Sequence, residues 1–217
     1  MPFRKSPTLP LGPESKTKRT TLMTKRIFVL NGHPGEVSLS RSLSIAYAEA
    51  AERAGHQVRV THLHDLMFDS DFGSGGYKSI KPLEPALDRV LDDLVWSDHV
   101  VLATPMWWGG IPAKLKGLFD RVLLPGRTFD TRQKSFGLPK PMLSGRTARV
   151  ILTSDTKSWL LRFVYHNAIL NQLRCQIFSF IGIKPTRFTQ FADASHPSAR
   201  TVARWLSDVR KLGTRAA

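Results

Sequence analysis

From residue 25 onward, short apolar segments alternate with longer amphipathic segments along the chain. Short apolar runs bounded by turn residues predict buried strands, and a 3.6-residue apolar period predicts helices. The predicted strands are residues 26–31, 56–63, 99–105, 148–154 and 184–191. The predicted helices are residues 39–55, 82–98, 111–123 and 197–212, with one or two more within residues 158–182.

This alternation of strands and helices predicts βαβ units and a parallel sheet. Five strands with helices on both faces fit one doubly wound α/β domain, with the flavodoxin-like strand order 2-1-3-4-5. The segment after the first strand reads "NGHPGEVSLS", which lacks the G-x-G-x-x-G pattern of a nicotinamide-binding Rossmann domain. A polar, glycine-rich loop is predicted over residues 65–81.

The first 23 residues contain four prolines and no apolar period. We therefore expect residues 1–24 to be a flexible basic extension, and residues 25–217 to be the flavodoxin-like domain. Met23 is a candidate start, because "MTKRIFVLNGHP" reads as a normal opening into a first strand. No segment has the roughly 20 apolar residues of a membrane span. The single cysteine, Cys175, excludes an intrachain disulfide and suits a reducing compartment, so we expect a cytoplasmic protein.

The net charge of +15 is spread unevenly along the 217 residues, with +6 in residues 1–26, −3 in residues 27–126 and +12 in residues 127–217. Such an excess indicates a polyanion, a membrane surface or anionic small ligands, or simply a solvated basic surface. The basic residues are dispersed and carry no nucleic-acid-binding motif, so we expect anionic cofactors and no nucleic acid. We expect no metal, since His62 and His64 at a strand end are more often surface residues than ligands.

The loop after the first predicted strand carries features of a phosphate site. Ser38 and Ser40 lie where the first helix begins, and free N–H groups at a helix N-terminus bind phosphate. His33 supplies a further donor or a positive charge. The alternative is that Ser38 only caps the helix.

The loop after the third predicted strand, "TPMWWGGIP", combines large and small side chains. Gly109 and Gly110 let the backbone approach a flat ligand, and Trp107 and Trp108 are expected to flank its ring or its phosphate chain. The alternatives are a hydrophobic plug or a dimer contact. Because ligands of such folds bind where the first and third strands end, the two loops together favour flavin mononucleotide.

The motifs "HPGEVSLSRSL" and "TPMWWGGIPAKLKGLFDRVLLPGRTF" resemble those of the flavodoxin-like NAD(P)H:quinone oxidoreductase family, which includes the DT-diaphorase, modulator of drug activity and potassium-efflux ancillary subunit types. The resemblance covers about residues 25–212. It implies a homodimeric reductase that passes a hydride from NADH or NADPH through N5 of FMN, or alternatively FAD, to a quinone, nitroaromatic or similar acceptor.

Carried over residue by residue, the resemblance implies three flavin-binding segments. The phosphate segment comprises His33, Ser38, Leu39 and Ser40. The ring segment comprises Pro105, Met106, Trp107, Trp108 and Gly109. The third segment, Thr153, Ser154, Asp155 and Thr156, contacts the other ring edge, and its backbone N–H groups stabilise negative charge on the reduced ring.

The chain departs from the family beyond this third segment. Asp155 replaces a glycine, Trp159 stands near a family tyrosine, and His166 stands near a family histidine that lines the substrate pocket. Trp159 and His166 are therefore the candidate catalytic residues. Two other functions remain open, a flavin-binding regulatory subunit docked on a membrane transporter and an electron carrier, although carriers are generally acidic.

Overall fold

A computed structural model of the protein describes residues 23–73 and 81–217. The strands are β1 Arg26–Asn31, β2 Gln57–His62, β3 His99–Pro105, β4 Phe129–Ser135, β5 Leu138–Pro141, β6 Thr147–Thr153 and β7 Thr186–Phe191. Five of them form one parallel sheet in the order β2-β1-β3-β6-β7. Counted along the sheet strands alone, this is the order 2-1-3-4-5, and the predicted flavodoxin-like fold is confirmed.

The helices also lie where the apolar period predicts them. They are α1 Leu39–Arg53, α2 Pro85–Trp96, α3 Ala113–Val122, α4 Ser158–Phe163, α5 Ala168–Asn171, α6 Ser179–Ile181 and α7 Ala199–Arg215. A π-helical segment, Gln172–Phe178, joins α5 to α6, and a 3-10 turn covers Leu63–Asp65. The predicted helical region 158–182 is therefore occupied by α4 and by one continuous helical stretch, residues 168–181.

The sheet is covered on both faces, because successive side chains of each buried strand point to opposite sides. On one face Ile27, Val29 and Val101 pack against α1 and α7. On the other face Phe28 and Leu102 pack against α2, α3 and the stretch 168–181. The apolar runs of β1 and β3 thus supply both layers of the core and fix the carboxyl edge of the sheet.

The hairpin formed by β4 and β5 was not predicted from the sequence. The two strands pair antiparallel outside the main sheet, and Phe136–Gly137 is the turn that joins them. Their sequence, "FDTRQKSFGLPKP", has no apolar alternation because most of its side chains face solvent. A strand without a buried face leaves no periodic signal in the sequence.

The region predicted as a polar loop is attached to α3 by a buried arginine. Arg121 is 1% exposed, and its guanidinium donates to the Glu84 carboxylate at 2.8 Å, to the Pro82 carbonyl at 2.8 Å and to the Asp69 carbonyl. Residues 74–80 of this loop, and almost all of the predicted extension over residues 1–24, lie outside the described residues.

Two further observations concern the described residues, 23–73 and 81–217. None of their helices is long and apolar enough to cross a membrane. None of their histidine, cysteine, aspartate and glutamate side chains form a group of three that could hold a metal ion.

Candidate functional site

The loops after β1 and β3 begin side by side at the carboxyl edge of the sheet. Asn31 and Ala103 are register neighbours, and the Gly32 N–H donates to the Ala103 carbonyl at 2.7 Å. A Cβ atom at Gly32 would lie 2.6 Å from Cδ2 of Leu115 on α3. A side chain at this position would therefore force Leu115 to shift where the first loop leaves the sheet under α3.

The start of α1 is arranged to receive an anion. Ser38 is its N-cap, with Oγ accepting from the Arg41 N–H at 3.1 Å, and the first turn has no acidic residue. The remaining N–H groups of this turn have no acceptor within the helix. Ser40 is buried and places its Oγ 3.4 Å from Oγ1 of Thr153 at the end of β6. The capping role of Ser38 and a phosphate-binding role are thus compatible.

His33 links this loop to the tryptophan loop. Nδ1 of His33 lies 2.9 Å from the Gly35 nitrogen and 3.3 Å from the Gly35 carbonyl oxygen, so the ring is held against the backbone of this loop. The His33 ring meets the Trp107 ring edge to face, with 5.5 Å between the ring centroids and an interplanar angle of 81°.

The tryptophan loop is a tight turn that separates its two indoles. Trp107 and Gly110 exchange two backbone hydrogen bonds of 2.9 Å, and the intervening Trp108 and Gly109 have φ of 51° and 75°. Trp107 is half-buried, whereas the Trp108 side chain is fully exposed at 106%. The hydrophobic-plug alternative is therefore wrong for Trp108. The Met106 N–H donates to the Thr153 carbonyl at 2.8 Å, so the N–H groups of Met106 and Trp107 are already used within the protein.

The turn after β6 is joined to the loop after β7. The Ser154 N–H donates to the Phe191 carbonyl at 3.0 Å, so this donor is not free for a ligand. Asp155 accepts hydrogen bonds from the hydroxyl and the backbone N–H of Ser195, and these bonds hold the pKa of its carboxyl below the usual value. Sequence analysis missed Ala194 and Ser195. The signal that could have found them is their position just beyond β7, at the same edge of the sheet.

Two adjoining cavities lie at this edge and have Met106 as a common wall. The first, of about 230 Å³, is lined by ten of the predicted residues and by Val37, Ala194 and Ser195. Those ten are His33, Ser38, Leu39, Ser40, Pro105, Met106, Trp107, Thr153, Ser154 and Asp155. The second, of about 350 Å³, is lined by Met106, Trp108, Gly109, Thr156, Leu161, Tyr165, Ala168 and Ile169. All thirteen predicted cofactor-binding residues therefore line one cavity or the other.

The two candidate catalytic residues are not among the residues that line these two cavities. Trp159 on α4 and His166 are exposed, and His166 has a left-handed backbone with φ of 48°. Its carbonyl accepts a hydrogen bond from the Asn171 amide at 3.0 Å. Among the described residues of this segment, Leu161 and Tyr165 line the second cavity instead. The roles of Trp159 and His166 stay predictions, and Tyr165 is the side chain that sequence analysis missed.

Taken together, the site suits a flat ligand that carries a phosphate. The N-terminus of α1 and the serine hydroxyls are donors, and the first turn of α1 itself has no acidic residue, which is the chemistry that an anion requires. Trp107 and Met106 supply apolar walls next to it.

Comparison with known proteins agrees with this geometry. Residues 25–212 match a family model described as having the flavodoxin-like fold. An FMN-dependent NADH:quinone oxidoreductase of Ruegeria pomeroyi is 33% identical over 152 residues, which are 63% of this chain and 72% of that protein. A second enzyme of that name, from Hahella chejuensis, is 30% identical over 116 residues, 54% of this chain and 56% of that protein.

Solved structures share the fold at lower identity. An NAD(P)H:quinone oxidoreductase from Methanothermobacter marburgensis superposes with a TM-score of 0.72 at 20% identity, covering 90% of this chain and 100% of that one. An FMN-dependent NADH-azoreductase from Bacillus anthracis, in complex with FMN, gives a TM-score of 0.69 at 17% identity with the same coverage.

Proposed function

The chain belongs to the flavodoxin-like family, and from this premise we propose that it is an FMN-dependent oxidoreductase that passes electrons from NADH or NADPH to a quinone-type acceptor. One observation carries the proposal. The start of α1, the tryptophan loop and the turn after β6 meet around two adjoining cavities at the switch point between β1 and β3. Relatives that are named for FMN and quinone support this choice of ligands.

The FMN phosphate lies at the N-terminus of α1 in this proposal. Ser38 and Ser40 direct hydroxyls and free backbone N–H groups toward it, and Arg41 places a positive charge in the same turn. The ring of His33 provides a further donor. Because these groups provide donors for one phosphate and not for a second nucleotide, they favour FMN over FAD.

The ring lies between the tryptophan loop and the turn after β6. Met106 and Trp107 form an apolar wall of the first cavity. In this proposal the other end of that cavity is closed by Asp155, whose carboxylate accepts a hydrogen bond from the Ser195 N–H. When bound there, the flavin supplies the two-electron hydride chemistry that protein side chains do not provide. Because the Ser154 N–H is already paired, the N–H groups of Asp155 and Thr156 are the donors of this turn that stabilise charge on the ring.

The second cavity receives the reduced nicotinamide and then the acceptor. Its walls of Trp108, Leu161, Tyr165 and Ile169 are aromatic or apolar, which suits flat rings of either substrate. Since the two substrates use one cavity, they bind in turn. Trp159 and His166 belong to the same segment as Leu161 and Tyr165, and in this proposal they act on the acceptor.

We also propose a homodimer. The exposed Trp108 supports it, and so does a groove of about 610 Å³ between α3 and the π-helical segment, whose walls include Phe119, Leu123, Phe129, Ile177 and Phe180. Sedimentation of the purified protein tests this assembly, and a monomer at all concentrations contradicts it.

The test of the function begins with the visible spectrum of the purified protein. Bands of oxidised flavin that bleach when NADH or NADPH is added without oxygen, and return when a quinone follows, are the expected result. Acid release and chromatography of the pigment distinguish FMN from FAD. A colourless protein that takes up neither flavin overturns the proposal.

A further inference from the structure

The tip of the β4–β5 hairpin carries an aromatic residue that the fold does not require. Phe136 is 104% exposed and has φ of 51°, and Gly137 after it has φ of 79°. A two-residue hairpin turn with both φ values positive favours asparagine, aspartate or glycine at its first position. A bulky side chain is strained there. Asparagine at position 136 would therefore fit the turn with less strain and would be better solvated than Phe136.

The surroundings of Phe136 are apolar at the tip and basic along the strands. Leu138, the next side chain after the turn, is 61% exposed, and Met142 is also exposed. Lys134 lies next to the tip, opposite Pro139, and Lys140 lies further along β5, opposite Asp130; both lysines are exposed. Lys140 donates to the neutral amide of Gln133 at 2.9 Å, so this contact leaves its charge in place.

The hairpin has little negative charge to offset these lysines. Residues 127–146 contain five lysines and arginines and one acid, Asp130. The Asp130 carboxylate is nearly buried and already accepts from the side chain and the backbone N–H of Arg132. An apolar tip on a hairpin whose strands carry a net positive charge is typical of a segment that enters an anionic lipid surface.

We propose that the β4–β5 hairpin docks the protein on anionic phospholipid membranes, in addition to the proposed function. Phe136 and Leu138 enter the boundary between headgroups and acyl chains, and Lys134 and Lys140 pair with headgroup phosphates. A symmetric contact between two copies through the same hairpins is disfavoured, because it would bring two basic surfaces together.

The experiment uses the full chain, with flavin content measured in every sample, and flotation with lipid vesicles. We expect binding to vesicles of phosphatidylcholine mixed with phosphatidylglycerol, weaker binding in high salt, and none to phosphatidylcholine alone. Phe136→Asn lowers the affinity at least about tenfold, and the variant folds because asparagine suits the turn. Met67→Asn, which replaces another exposed apolar residue, is the matched control and leaves binding unchanged.

A pair of charge variants separates the hairpin from the overall positive charge. Lys134→Glu with Lys140→Glu abolishes binding, whereas Arg204→Glu with Arg210→Glu on α7 makes the same change in net charge and retains it. Three results overturn the proposal. The first is that the wild-type protein does not bind anionic vesicles. The second is that binding survives both sets of hairpin variants, which assigns it to other basic residues such as those of residues 1–22. The third is that Phe136→Asn dissociates a dimer without affecting vesicle binding, which assigns the tip to a second copy.

Discussion

Asp155 receives two hydrogen bonds from Ser195, one from its hydroxyl and one of 2.8 Å from its backbone N–H, across 40 positions of the sequence. This contact ties the turn after β6 to the loop after β7. It also explains how an aspartate is accommodated where the resemblance implies a glycine, since the charge is engaged by Ser195 at the edge of the cavity.

Replacing Asp155 by alanine releases Ser195 from the cavity wall. We expect the dissociation constant of FMN to rise about tenfold, while the free energy of unfolding changes by less than about 1 kcal/mol because the pair is exposed. Quenching of FMN fluorescence measures the first quantity and urea unfolding the second. Asp120→Ala, which removes an exposed acid paired with Lys116, is the control. Equal FMN affinity in Asp155→Ala and the wild type would show that Asp155 has no part in the site.

Replacing Ser38 by aspartate separates helix capping from phosphate binding. Aspartate caps helices as well as serine does, so we expect the free energy of unfolding to change by less than about 0.5 kcal/mol. Its charge repels the phosphate, so FMN affinity falls at least about tenfold. Riboflavin, which has no phosphate, is the matched ligand and should bind unchanged. If riboflavin weakens equally, the phosphate is bound elsewhere.

Replacing Arg121 by methionine leaves the Glu84 carboxylate and two carbonyls without their buried donor. We expect the free energy of unfolding to fall by about 1–3 kcal/mol, because the carbonyls of Asp69 and Pro82 lose their donor, while the Glu84 carboxylate, whose side chain is 29% exposed, stays partly solvated. Adding Glu84→Gln restores part of this loss. Lys116→Met, five residues before Arg121 on α3, removes an exposed pair and should cost less than about 1 kcal/mol. A small effect of Arg121→Met in urea unfolding contradicts the prediction.

His99 makes stability depend on pH. The residue is 2% exposed, and burial, aided by the positive charges of Lys25 and Arg149, lowers its pKa to about 3. The unfolded chain binds a proton at this histidine near pH 6.5 and the folded protein does not. Stability is therefore lost as the pH falls from about 6.5 toward 3, by at most about 1.4 kcal/mol per pH unit.

Urea unfolding between pH 7 and pH 5 measures this dependence above the range where carboxylates titrate. His99→Gln should have a smaller slope in this range, while His64→Gln, at an exposed position, keeps the slope of the wild type. Identical slopes in all three proteins would show that His99 is protonated in the folded state or exposed to solvent.

Most of the parallel fold could be predicted because its central strands are buried on both faces. The runs at residues 26–31 and 99–105 coincide with β1 and β3, since most residues there are buried and apolar. The β4–β5 hairpin and the buried Arg121 could not be predicted, because an exposed hairpin has no apolar period and nothing local marks a buried arginine.

The residues of the candidate site also fall into those that could be predicted from the sequence and those that could not. His33, Ser38 and Trp107 stand directly after strands whose ends are recognisable, so their convergence follows from topology. Ser195 was missed because its partner Asp155 is distant in sequence. Tyr165 was missed because α4 ends just before it, and the direction of a side chain after a short helix cannot be obtained from spacing.

The two outward-pointing aromatics, Trp108 and Phe136, share one local design. Each stands at the first corner of a tight turn, each is followed by a glycine with positive φ, and neither is part of the core. The turn is held by backbone hydrogen bonds around it, so its geometry does not depend on the identity of the aromatic side chain. A substitution at Phe136 can therefore change what the protein adheres to without altering either cavity, whereas a substitution at Trp108 also changes a wall of the second cavity.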